Sequence, residues 1–131
     1  MTIVLSYIPT PEGLGALPFG FTEARLRETD VVVIPDGDAA DRADFDANVQ
    51  SAREEANALD VKYRVSIGDG DRTHADNLID ASYDAGASLL VIGMRRRSPV
   101  GKLLMGSVVQ RVLLDAHCPV AAIKPPVGAP H

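Results

Sequence analysis

The sequence has no tryptophan and only three phenylalanines and three tyrosines, so aromatics make up 5% of it. Its interior therefore has to be built from aliphatic side chains. A single cysteine, Cys118, excludes an internal disulfide and a cysteine-based metal site, and it fits a reducing compartment. The three histidines, His74, His117 and His131, are scattered. They show none of the His–Glu or His–Cys spacings that hold a metal. Positive charge is in deficit, with a formal net charge of −5. A dedicated nucleic-acid binder would be basic overall. No apolar run approaches the roughly 18 residues of a membrane span. The opening "MTIVLSYIP" lacks the charged start and long apolar stretch of a secretory signal. The expectation is a cytoplasmic protein with neither a membrane nor a nucleic-acid partner.

What is present is an ordinary globular composition over 131 residues, 46% apolar and 24% charged. That length predicts one domain, over residues 1–125, followed by a flexible tail at 126–131. Such a chain buries roughly two thirds of its unfolded surface. Five runs read as strands: residues 2–8, 30–34, 61–67, 88–93 and 119–124. Four of them are near-continuous apolar runs, as in central parallel strands covered on both faces. The third alternates, with Val61, Tyr63, Val65 and Ile67 on one side, and predicts an edge strand.

Helical periodicity lies between these runs. Phe45, Val49, Ala52, Ala56 and Leu59 form one stripe, and Ala75, Leu78, Ile79 and Tyr83 a second. Val109, Val112, Leu113 and Ala116 form a third. Thr73 is expected to cap the middle helix at its start and Gly86 at its end, and Ser107 to cap the last helix. Pro18 predicts a break in the first connection, with regular helix only from about Phe21 to Glu28. The strand–helix alternation specifies an α/β domain, an open five-stranded parallel sheet with right-handed crossovers and helices on both faces.

In such a sheet ligands bind beyond the carboxyl ends of the strands, where the strand order reverses. If the first and fourth strands are neighbours there, the loop at 8–13 meets "GMRRRSPVGKLLMGS" at 93–107. Four of the 13 lysines and arginines fall between Arg95 and Lys102. Gly106 and Ser107 open a helix, whose free N–H groups and positive dipole end attract an anion such as phosphate. Two phosphate motifs fail. Gly101–Lys102 is followed by Leu103 where a P-loop needs Ser or Thr, and no G-x-G-x-x-G occurs. The acidic run Asp36, Asp38, Asp41, Asp44 is not a calcium loop, because Asp41 and Ala47 stand where glycine and glutamate are required. Ser6, Ser66, Ser98 and Ser107 have no histidine partner evident in sequence, so no hydrolase chemistry is expected. His74 is expected to be exposed in its helix's first turn, and Cys118 to be a small core residue.

A third pattern does match. Gly93, nine residues between Arg96 and Gly106, and then Ser107 resemble the G-x-x-G, nine residues, G-[ST] loop of the universal stress protein family. The flanks "SLLVIG" and "VVQRVLLDAHCPVAAIKP" resemble that family too, and the similarity is strongest from Ala87 to Pro125. The resemblance implies a sheet of order 3-2-1-4-5 and binding of ATP or AMP without a required metal. It implies that Gly93, Met94, Arg96, Gly106, Ser107 and Val108 hold phosphate and ribose, while Pro9 and Val33 line the adenine end. It also implies a homodimer through the last strand, Val120 to Lys124, a role in sensing or signalling stress, and at most slow, incidental ATP hydrolysis. Two positions depart from the family pattern. Arg96 replaces the second glycine, and Ile8 stands where the family has a first-strand aspartate. Both weaken the expectation of nucleotide binding. The alternative is a family member that has lost nucleotide and works as a dimeric interaction module. An enzyme of a related α/β class, such as a nucleotidyl transferase, is a third reading.

Overall fold

A computed structural model describes residues 1–94 and 106–124. Five parallel strands form one sheet: β1 (Thr2–Tyr7), β2 (Asp30–Pro35), β3 (Tyr63–Val65), β4 (Ala87–Gly93) and β5 (Val120–Ile123). Their order is β3-β2-β1-β4-β5. The helices are α1 (Pro11–Gly15), α2 (Leu17–Arg27), α3 (Phe45–Glu55), α4 (His74–Ser82) and α5 (Ser107–Asp115), with a short 3-10 turn at Ala39–Asp41.

The period of two along the strands sorts the core into two layers. Ile3, Leu5, Tyr7, Val31, Val33, Leu89 and Val91 pack with residues of α2 and α3, chiefly Leu17, Phe21, Phe45 and Val49. Val4, Val32, Ile34, Leu90 and Ile92 pack on the other face with Leu78 and Ile79 of α4 and Val109 and Val112 of α5. Because β1 lies between β2 and β4, the chain reverses its direction of strand addition there. The switch-point crevice opens at the carboxyl ends of β1 and β4.

Several local expectations are corrected. The first connection holds two helices, and α2 begins at Leu17 rather than Phe21. Pro18 lies in its first turn, where the missing N–H has no intrahelical partner to lose. β3 is shorter than its alternating run. Val61 is buried but lies before the strand, and Ile67 is exposed beyond it. Leu59 is 53% exposed. Helix α3 ends at Glu55 and Asn57 adopts a left-handed φ of 55°, which carries Leu59 off the stripe. Helix α4 ends at Ser82 with Tyr83 as its cap, so Gly86 is not the cap. Tyr83 is exposed and stacks on His117, with ring centroids 4.7 Å apart. Leu113 likewise lies exposed on α5.

The start of α4 is as expected. The Thr73 hydroxyl accepts from the Asp76 N–H at 3.1 Å. Thr73→Ala should therefore cost about 1 kcal/mol of stability, read as a lower urea midpoint at unchanged slope.

Candidate functional site

The crevice is built from four chain segments that end at the same edge of the sheet. After β1, Ile8 and Pro9 are half-buried, and Thr10 caps α1 by accepting from the Gly13 N–H at 3.1 Å. After β2, the Asp36 N–H donates to the Tyr7 carbonyl at 2.8 Å, which fixes the start of the acidic loop against β1. After β4, the Met94 N–H donates to the Ile123 carbonyl at 2.8 Å, while its side chain is buried in the α4/α5 core layer. The fourth segment is the start of α5.

At α5 the cap is Gly106, not Ser107. Gly106 has extended backbone (φ −65°, ψ 160°), and its carbonyl accepts from the Gln110 N–H. Ser107 is the first helical residue and is exposed, so its hydroxyl is not spent on capping. Among the described residues no side chain caps this helix. Its first-turn N–H groups therefore keep their capacity for an outside acceptor, at the positive end of the helix dipole. Val108 is half-buried beside them. Arg95, Arg96, Arg97 and Lys102, the cations of the opening loop, lie outside the described residues, as does the tail at 126–131.

Two of the anticipated contacts lie towards the α2/α3 layer. Val33 is fully buried in the α2/α3 core layer, so its side chain packs the core instead of lining an open pocket. Gly93 faces the same layer. A Cβ there would overlap the Glu12 carbonyl and lie 3.2 Å from the Gly13 Cα. The glycine is required by close packing of α1 across the end of β4, which leaves its peptide, not its missing side chain, to the crevice.

A polar pair that sequence reading missed sits in the α4/α5 layer. The Ser6 Oγ of β1 lies 2.9 Å from Nε2 of His74, in the first turn of α4. Ser6 is 1% exposed and His74 is 8% exposed, against the expectation of a solvent-facing histidine. The visible signal was a serine inside the buried run "TIVLSYI", which needs a partner when it is desolvated. Nothing in sequence names a partner 68 residues away. Burial lowers the His74 pKa, and the nearby Asp36 carboxylate acts in the opposite direction. Nδ1 is closed off from water and makes no hydrogen bond. Ser6 is sealed in the core, and among the described residues no carboxylate holds Nδ1, so the pair lacks the arrangement of an accessible nucleophile and its base.

Electrostatics tie α4 to α5 beside this pair. Arg111 of α5 lies 2.8 Å from the Asp76 carboxylate. The hydrogen bond from Arg111, followed by that involving Thr73, lowers the Asp76 pKa. Among the described residues no cluster of His, Cys, Asp and Glu could hold a metal ion. None of the described helices is long and apolar enough to cross a membrane. Cys118 is half-buried against the α4/α5 layer, and burial raises its thiol pKa. A concavity of about 740 Å³ lies at the opposite edge of the sheet. It is an open groove in which Arg25, Arg27 and Lys62 face Glu28, Asp30 and Asp60, so its charges offset one another.

Comparison with known proteins agrees with this geometry. Residues 10–124 match the family described as the universal stress protein family. A "Universal stress protein" of Mycolicibacterium smegmatis (strain ATCC 700084 / mc(2)155) is 41% identical over 128 residues, covering 94% of this chain and 97% of that protein. The structure of a universal stress protein from Archaeoglobus fulgidus superposes with a TM-score of 0.70 at 29% identity, over 95% of this chain and 98% of that one. A universal stress protein from the same organism, solved in complex with dAMP, gives a TM-score of 0.66 at 24% identity over the same shares of the two chains. At that identity the last likeness speaks for the fold alone. The family match spans most of the chain, and the strand order and switch-point crevice accompany it: this chain belongs to the universal stress protein family.

Proposed function

We propose that the chain binds an adenine nucleotide, ATP or AMP, in the crevice between β1 and β4, and acts by sensing or signalling in a stress response. The observation that carries this reading is the start of α5. An extended glycine, an exposed serine and first-turn N–H groups without a side-chain cap among the described residues stand at the switch point of the sheet. The dAMP held by the structural relative from Archaeoglobus fulgidus supports the same ligand class. Gly106, Ser107 and Val108 would hold phosphate, with Arg96 extending a cation onto it. The peptides of Gly93 and Met94 would face the ribose. Ile8 and Pro9 would close the adenine end by apolar and backbone contact. Any ATP hydrolysis would be slow and incidental. The protein would work in the cytoplasm as a homodimer through β5, an edge strand whose residues Val120–Ile123 are all half-buried in the single chain.

Titration calorimetry with ATP, AMP and inorganic phosphate tests this on the parent, Ser107→Ala and Arg96→Gly. The expected result is nucleotide binding that weakens about tenfold in Ser107→Ala, the loss of one hydrogen bond to a charged group. No heat from the parent with any of the three ligands would overturn it.

The second reading, an interaction module without nucleotide, draws on the adenine end. Ile8 supplies no polar group there, and Val33 is sealed in the core. A gain of binding in Arg96→Gly alone would mean that Arg96 plugs the site.

A further inference from the structure

The β3 edge of the sheet carries unpaired backbone. β3 ends the strand order, with β2 on one flank and no strand among the described residues on the other. The Lys62 carbonyl accepts from the Val31 N–H at 3.0 Å, and the Ser66 N–H donates to the Val33 carbonyl at 2.9 Å. Along a strand, alternate residues turn their peptides to the same neighbour. Tyr63 and Val65 stand in between, so their N–H and C=O groups face the open edge. An added strand hydrogen-bonds to groups of this kind.

The side chains sort in the same way. Tyr63 and Val65 are in register with Val31 and Val33 and share their face, on the α2/α3 side. Tyr63 meets Phe21 edge-on, with ring centroids 6.0 Å apart, and the Arg53 guanidinium lies over its ring. Arg53 also donates to the Leu59 and Val61 carbonyls, which fixes the entry to the strand. Tyr63, Val65 and Ile67 are nevertheless exposed, apolar side chains at alternate positions. Arg64 is in register with Val32, so it and Lys62 take the other face. Asp60 borders the same groove as Lys62, and Asp84 the same hollow as Arg64. Neither cation is in an ion pair among the described residues.

The charge decides what fits here. A second copy laid antiparallel on β3 would set cation against cation, because Lys62 and Arg64 share one face. Edge strands are guarded against self-pairing in this way. The same charge favours a segment that carries carboxylates at those positions.

We propose that β3 is a docking edge for an extended acidic segment of a partner protein. The segment adds to the sheet as a further strand through the outward peptides of Tyr63 and Val65. Its carboxylates lie against Lys62 and Arg64, and its alternate apolar side chains lie against Val65 and Ile67. This edge works independently of what the crevice between β1 and β4 binds.

The test is a backbone amide titration of the full chain with a short peptide alternating valine and glutamate, set against one alternating valine and lysine. The glutamate peptide should shift the amides of Tyr63 and Val65 and bind about tenfold more tightly than the lysine peptide. Added salt should shrink that preference. Arg64→Glu should abolish it. Val65→Pro removes an outward N–H and leaves the ladder to β2 intact, so it should weaken the glutamate peptide about tenfold. Urea unfolding establishes that both variants fold, and the comparison of the two peptides on the parent needs no variant. Absence of shifts at residues 62–67, equal binding of the two peptides by the parent, or parental affinity in folded Val65→Pro overturns the proposal. So does self-association that shifts the same amides without peptide, which would make a second copy the occupant.

Discussion

Gly93→Val should destabilise the protein by about 3 kcal/mol or more and lower its melting temperature by on the order of 10 °C. The first added carbon already overlaps the backbone of Glu12 and crowds Gly13. That backbone has little room to move, because Gly13 is itself pressed against Ile8: a Cβ on Gly13 would overlap the Ile8 carbonyl. Helix α1 is thus wedged between the ends of β1 and β4, and two glycines let it in. Overpacking against backbone is costly because no rotamer change relieves it. Gly15→Ala is the control. A Cβ there meets nothing within 4 Å, and alanine is the better helix former, so this change should be neutral or slightly stabilising. Thermal unfolding followed by circular dichroism checks both. Equal effects from the two substitutions would show that loss of glycine flexibility, and not the α1 contact, decides the outcome.

Gly106→Asp should separate stability from binding. The cap position already has the extended backbone that a capping aspartate adopts, so no strain is introduced. The new carboxylate would accept from the first-turn N–H groups of α5 and sit at the positive end of its dipole. Together these should raise stability by a few tenths to about 1 kcal/mol. The same carboxylate would occupy the donors proposed for phosphate and repel it. Affinity for ATP or AMP should fall by about a hundredfold, roughly 2.7 kcal/mol. Calorimetry and urea unfolding on one preparation give both numbers. A more stable protein that binds nucleotide unchanged would place the phosphate elsewhere.

The fold was legible because its signals are repeated and local. Apolar strand runs alternate with amphipathic stripes, and the alternating third run marks an edge strand. The cap at Thr73 could be read because a threonine three residues before Asp76 is a local pattern. What was not legible depends on contacts distant in sequence. Pro18 looks like a breaker until the helix is seen to start beside it. Gly93 reads as a glycine that permits a close approach, but nothing local says that the approaching group is the backbone of α1. Val33 reads as accessible at a strand end, but the strand's parity turns it into the α2/α3 layer. His74 looks solvent-facing in a helix's first turn, and only the packing of α4 on β1 brings it onto Ser6. In the candidate site the helix start at Gly106 and Ser107 was readable, though with their capping roles exchanged. The polar pair in the layer behind it was not.

The central claim is that an adenine nucleotide lies at the carboxyl edge of β1 and β4 against the start of α5. Its most direct test is an AMP titration of the isotope-labelled protein followed through backbone amide shifts. The account predicts that the largest shifts fall at Ser107 and Val108, with Met94 and Ile8 next. Saturation without shifts at those four residues, or shifts confined to the opposite groove around Arg25 and Lys62, would contradict it.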